Sequence, residues 1–395
     1  MKITKELVMQ LFRSASMQRW NDKVRPIALC ELDKQAHKMI IAYLLGRLEE
    51  KHHPVNWIEI IEGGIFELLQ RTVLTDLHPQ IFHRIKEDPQ KYRSLNEWAY
   101  QELLPAIEPL GEDFCQRYRQ YFFTSDDSAS KRLISAAHFY ATRWEFSFIE
   151  NANPNGYEID AIRKEITSET QKYYDLEGMK LLALYPRYGD FVNLCGELRF
   201  QRRWNTIPRL PETSVLGHML MVAILAYLFS LQIGSCESRR INNYYTGLFH
   251  DLPEVLTRDI ISPVKKSTSG LAELIKQYEK EEMEKVYSLL DPEWHDDIRL
   301  FTEDEFNSII HLDGSIVRKS SEEISRCFNS NGYRPRDGEL VKATDELCAF
   351  VEAYTSARNG ISAPELASAM DHIRHSYSGK TVAGIAFDAL LAEFK

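Results

Sequence analysis

Apolar residues recur at helical spacing along almost the whole chain, while runs that alternate apolar and polar positions with β-branched residues are scarce. A repeat near 3.6 residues buries one face of a helix, whereas a half-buried strand needs a repeat of two. The spacing predicts helices over 6–13, 36–49, 58–69, 95–104, 131–148, 161–174, 218–231, 242–256, 272–290 and 339–356, and therefore an all-α fold. Turn formers crowd into Asn151-Ala152-Asn153-Pro154-Asn155-Gly156 and Asn329-Ser330-Asn331-Gly332-Tyr333-Arg334-Pro335, which read as loops, the first as the main domain boundary. Segment 213–236 lacks Asp, Glu, Lys and Arg, but its unbroken apolar run, 219–229, is shorter than the ~20 residues that span a bilayer. It reads as a buried core helix, and no membrane contact is expected.

The chain also repeats itself. Met17-Gln18-Arg19-Trp20-Asn21 returns as Arg202-Arg203-Trp204-Asn205, at an offset of 184. The segment starting at His37 resembles the one starting at His218, at an offset of 181, and the segment ending in Asp76 resembles the one ending in Asp259, at an offset of 183. A fourth match, Leu133-Ile134-Ser135-Ala136-Ala137-His138 with Leu340-Val341-Lys342-Ala343-Thr344-Asp345, needs an offset of 207. Matches in order at nearly one offset imply a tandem duplication with an insertion in the second half. The expected division is 1–150, a helical linker over 151–189, and 190–395. At 395 residues the chain is long enough for such a pair.

Lys and Arg total 48 against 58 Asp and Glu, a formal charge of −10, which disfavours long nucleic acid as a partner. Six cysteines without a Cys-x-x-Cys pair indicate neither a thiolate zinc site nor a disulfide scaffold, so a reducing cytoplasm is expected. The opening Met-Lys-Ile-Thr-Lys-Glu meets charge too soon for a secretory signal.

Chemistry gathers in the second half. His250-Asp251, with Glu254 one turn later on the expected helix, offers imidazole and carboxylate donors that suit Zn²⁺, Mn²⁺, Co²⁺ or Fe²⁺. His218 opens the uncharged helix, and Asp345 sits among Leu340, Val341, Leu347 and Phe350. Each alone reads first as a core histidine or a paired aspartate. Together they are costly unless they share a partner. His295-Asp296 lies on a polar stretch and reads as solvated surface.

The order His218, His250-Asp251, Asp345 resembles the metal signature of the HD-domain phosphohydrolases. Arg203-Trp204, Glu254-Val255-Leu256-Thr257-Arg258-Asp259, Ser262-Pro263-Val264-Lys265 and the residues around Asp345 are similar to bacterial 5′-deoxynucleotidases in particular. The resemblance implies a divalent ion (Mn, Co, Zn, Fe or Mg) held by His218, His250, Asp251 and Asp345, which activates water against a nucleotide phosphate. It further implies Glu254 as the acid for the leaving oxygen, Arg203 as phosphate clamp, and Trp204 and Asp259 against the sugar. Lys265 and Lys266 read as solvated. Two features depart from the family: Gly217 replaces the acidic residue that usually precedes the first histidine, and the stretch 259–345 is long.

In the first half the same alignment gives His37, Glu67-Leu68 and His138 as counterparts of the ligands, with Arg71 at the place of Glu254. This copy is degenerate: Leu68 cannot bind metal and Arg71 would repel it. Its expected role is structural, as half of a pseudo-dimer within one chain, with further homo-oligomerisation possible. The leading expectation is phosphate release from (deoxy)nucleoside 5′-monophosphates. The alternatives are hydrolysis of nucleoside triphosphates or cyclic nucleotides, and a non-catalytic nucleotide-sensing or assembly module.

Overall fold

The computed structural model describes residues 1–75, 77, 79–124, 128–258, 268 and 270–395. Among these the fold is helical, with short two-stranded antiparallel pairs as its only sheets. Its helices are α1 (Lys5–Phe12), α2 (Glu31–Glu49), α3 (Trp57–Leu74), α4 (Pro79–Lys86), α5 (Pro89–Ile107), α6 (Glu112–Phe123), α7 (Ala129–Ala152), α8 (Ile159–Gln171), α9 (Glu177–Leu184) and α10 (Pro186–Glu197). They continue as α11 (Val215–Gln232), α12 (Glu237–Phe249), α13 (Glu254–Thr257), α14 (Leu271–Leu289), α15 (His295–Thr302), α16 (Gly338–Arg358), α17 (Pro364–Tyr377) and α18 (Phe387–Leu391).

Two buried helices, α2 and α11, pack on each other at the centre. α11 is apolar on every face, which in a folded protein demands a surround of other helices. It is long and apolar enough to cross a membrane by length and composition, yet 89% of it is covered by the protein itself. α2 is equally buried but carries Glu31, Asp33, Lys34, Lys38 and Glu49. Such charges survive burial only when paired: Glu31 with Arg19, Lys34 with His138, Lys38 with Glu67, Asp33 with Ser214 at the start of α11, and Glu49 with the Gly178 N–H of α9. A single apolar core runs through both halves.

Outer helices close around this pair. α3 and α7 pack on α2, and α12 and α16 pack on α11. Arg239 of α12 and Asp337, the N-cap of α16, form a fully buried ion pair that fixes one helix on the other. The expected helix over 242–256 is broken: α12 ends at Phe249, residues 251–253 turn, and α13 starts at Glu254. Pro253 lacks the N–H that a continuous helix would use. The hairpin Ile309–Leu312 with Ser315–Arg318 was not foreseen, although Asp313-Gly314 is a strong two-residue hairpin signal.

Contacts recur at the offsets seen in the sequence. The Glu31 N–H donates to Met17 O (2.8 Å) as the Val215 N–H donates to Gln201 O (2.9 Å). Gln18 pairs with Cys30 as Arg202 pairs with Ser214. Trp20 and Trp204 both adopt positive φ, 54° and 56°, as do Thr75 and Arg258, 51° and 65°. Gly64 lies against Met39 as Gly247 lies against Ala223. The contacts are also reciprocal: Tyr43 packs on Tyr245, ring centroids 4.8 Å apart, while Tyr227 donates to Glu62 Oε1 at 2.9 Å.

This register corrects one alignment. The backbone bonds that open α2 and α11 put Lys34, not His37, at the place of His218. His37 turns away: its Nε2 lies 2.9 Å from Val192 O, its ring meets Trp144 edge-on, and burial lowers it to about 3. Matching histidine to histidine slipped the register by almost one helical turn.

Candidate metal centre

His218 sits in the first turn of α11, whose N-cap Ser214 accepts from Gly217 N–H. His250 is the C-cap of α12, Asp251 lies in the turn behind it, and Asp345 lies on α16. Three elements therefore deliver four donors to one point. His218 Nε2 is 2.7 Å from Asp345 Oδ1, His250 Nε2 is 3.2 Å from Asp251 Oδ2 and 3.9 Å from Asp345 Oδ1. One ligand atom from each of His218, His250 and Asp251 falls within 4.8 Å of the others. The histidines are buried while the Asp251 and Asp345 side chains are 19% and 23% exposed, so the centre opens to solvent on its carboxylate side.

These donors fit a divalent cation. His250 Nδ1 lies 2.9 Å from Gly247 O, which places the ring proton there and turns the Nε2 lone pair inward. That Nε2 is buried and faces the carboxylates of Asp251 (3.2 Å) and Asp345 (3.9 Å), the position of a ligand nitrogen. Two imidazoles and two carboxylates suit Zn²⁺, Mn²⁺, Co²⁺ or Fe²⁺ alike. The field agrees: burial would lower His250, but Asp251 and Asp345 outweigh it and hold it up at about 9. Asp251 and Asp345 are pulled below the usual carboxylate range, against burial, by the histidines and Arg203.

Arg203 borders the centre. Its Nη1 is 3.6 Å from Asp251 Oδ2 and its Nε 3.2 Å from Glu352 Oε2. Glu254, at the start of α13, lies close enough to add to the negative field on Arg203. The Trp204 indole N–H donates to Glu352 Oε2 at 2.8 Å, so its orientation is set by a carboxylate. Asp259, Lys265, Lys266 and the rest of the Ser262-Pro263-Val264-Lys265 motif lie outside the described residues.

Glu352 was missed. Arg203, Trp204 and Thr213 all donate to it, and its Oε1 stands 3.7 Å from His218 Nδ1, the ring nitrogen facing away from Asp345. Burial opposes its charge, but Arg203 outweighs that and keeps it near 2. The signal was present: Glu352 follows Asp345 by two helical turns, on one face of α16.

Comparison with known proteins agrees with this geometry. Residues 195–374 match the HD domain family. A 5′-deoxynucleotidase of Photobacterium profundum is 26% identical over 164 residues, 40% of this chain and 70% of the relative. One from Photorhabdus temperata is 26% identical over 175 residues, 44% and 76% of the two chains. One from Vibrio vulnificus is 25% identical over 166 residues, 41% and 72%. The matched segment, residues 195–374, holds His218, His250, Asp251, Asp345 and Glu352 together, so over that segment the chain is similar to the HD domain family.

Proposed function

We propose that the chain is a metal-dependent phosphohydrolase that releases phosphate from (deoxy)nucleoside 5′-monophosphates, built as a tandem pair in which 190–395 carries the chemistry and 1–150 is a degenerate copy joined through a helical linker. The observation that carries the proposal is the convergence of His218, His250, Asp251 and Asp345 beside Arg203. The contacts that recur at offsets of 183 and 184 support the tandem origin.

A divalent cation at this centre supplies Lewis-acid polarisation of the phosphoryl group and acidifies a water. The protein's own part is positional. Arg203, always charged and braced by Glu352, presents guanidinium N–H donors to the phosphate oxygens. Glu254, beside Arg203 at the start of α13, would deliver a proton to the departing 5′-oxygen. Trp204 and Asp259 would border the sugar.

The test is phosphate release from deoxynucleoside 5′-monophosphates, nucleoside triphosphates and cyclic nucleotides with Mn²⁺, Co²⁺, Zn²⁺ or Mg²⁺, with Asp345→Ala as control. Monophosphates should lead. A preference for triphosphates or cyclic nucleotides redirects the substrate, and no release with any metal leaves only a nucleotide-binding role.

A further inference from the structure

The first half inverts the charge at the positions that match the second half's centre. Where the second half has His218, His250, Asp251, Glu254 and Asp345, the first has Lys34, Glu67, Leu68, Arg71 and His138, with Arg19 at the place of Arg203. Three carboxylates become one, and one cation becomes three. Lys34 Nζ lies 2.5 Å from His138 Nδ1, as His218 lies against Asp345. Lys38 pairs with Glu67 at 2.9 Å. Arg19 bridges Glu31 (2.7 Å) and Glu145 (2.8 Å), and Arg71 Nε is 3.7 Å from Glu31 Oε2.

Lys34 is the telling residue. It is 0% exposed, its ammonium has three donors, and its single hydrogen-bond partner among the described residues is His138. Burial, with Arg19 and Lys38 beside it, pushes the Lys34 amine well below the usual lysine range, so an anion is what would hold it charged and complete its donors. The way in is open: the Arg71 and Glu67 side chains are 27% and 25% exposed, and His138 is half-buried. Glu145 receives Arg19 Nε and Trp20 Nε1 as Glu352 receives Arg203 and Trp204, so the guanidinium and indole are braced here too.

We propose that the first half is a metal-independent binding site for a phosphate or phosphate monoester, held by Lys34, Arg71 and Arg19 where the second half would hold its metal and substrate phosphate. A dianionic tetrahedral oxyanion matches cations converging from α2, α3 and the Arg19 turn, and accepts the spare Lys34 donors. Free phosphate and a nucleotide share this chemistry; Trp20 would favour the nucleotide.

The experiment is calorimetric titration of the full chain, held in EDTA, with inorganic phosphate and separately with deoxyadenosine 5′-monophosphate. One equivalent should bind without metal, and Arg71→Ala and Lys34→Met should each weaken it by about tenfold or more, the loss of a charge-assisted bond. Arg203→Ala should leave this binding within about twofold. Tighter binding of the nucleotide identifies a nucleotide site, and equal binding a free-phosphate site. No binding at millimolar probe, or binding lost in Arg203→Ala but kept in Arg71→Ala, overturns the proposal. Circular dichroism shows whether Lys34→Met folds; if it does not, the partly exposed Arg71 decides alone. No metal is present and no turnover is read, so failure here leaves the hydrolytic reading untouched.

Discussion

Glu254 and Glu352 are both carboxylates within reach of Arg203, yet they have separable tasks. Glu254→Gln keeps the shape and removes the proton. Since a positioned general acid is worth ~10²–10⁴-fold, kcat should fall by that factor with metal content unchanged, measured on one preparation. Unchanged turnover at full metal occupancy would remove Glu254 from the chemistry. Glu352→Gln should act through others: with the Arg203 and Trp204 donors and His218 no longer held by a charge, metal affinity should drop by roughly 10–100-fold and KM should rise. Competition with a chelator reads the first effect and steady-state kinetics the second, and a kcat loss at saturating metal with unchanged KM would contradict the positioning role. His218 and Asp345 stood out in the sequence as costly residues on buried helices, and His250-Asp251 as an adjacent imidazole and carboxylate. Glu352 was equally costly but lay outside the pattern being matched, and Asp259 remains a reading from sequence.

At the level of elements, helices were legible wherever one face had to be buried, while their ends and breaks were less so. The break before Glu254 depends on Pro253 and on the turn at 251–253, and this turn aims Asp251. The register slip at His37 arose because residue identity was followed where backbone bonding at the start of α2 decides. Helix contact also yields a contrast between two glycines. A Cβ at Gly247 would stand 2.7 Å from the backbone of Ala223, which cannot yield, whereas one at Gly64 would meet the flexible end of Met39. Gly247→Ala should therefore destabilise by about 1–3 kcal/mol and displace His250, with loss of bound metal, while Gly64→Ala costs less. Denaturation midpoints and metal analysis of the two variants check this, and equal costs would mean that α11 and α12 can part to admit a methyl group.

The whole molecule is organised around the α2–α11 contact, so neither half covers its own central helix. Residues 190–395 produced alone should expose the apolar face of α11 that meets α2 and should aggregate; adding residues 1–189 as a separate chain should restore a soluble complex. Gel filtration of the two preparations decides, and a soluble monomeric 190–395 that binds metal would show the first half to be dispensable. That local contacts recur at offsets of 183–184 could be read from the repeat. How the halves share their charges could not, because a buried ion such as Lys34 is explained only by what surrounds it.

At the centre of that contact, Asp33 and Gly217, which hold the same place in their two halves, meet each other: a Cβ on Gly217 would come within 2.6 Å of Asp33 Oδ1, which accepts from Ser214 Oγ at 2.6 Å. The glycine that departs from the family pattern is thus the socket for an acid supplied by the opposite half. Two first halves brought together in the same way would set carboxylate against carboxylate, so this couple favours the pairing of unlike halves seen here.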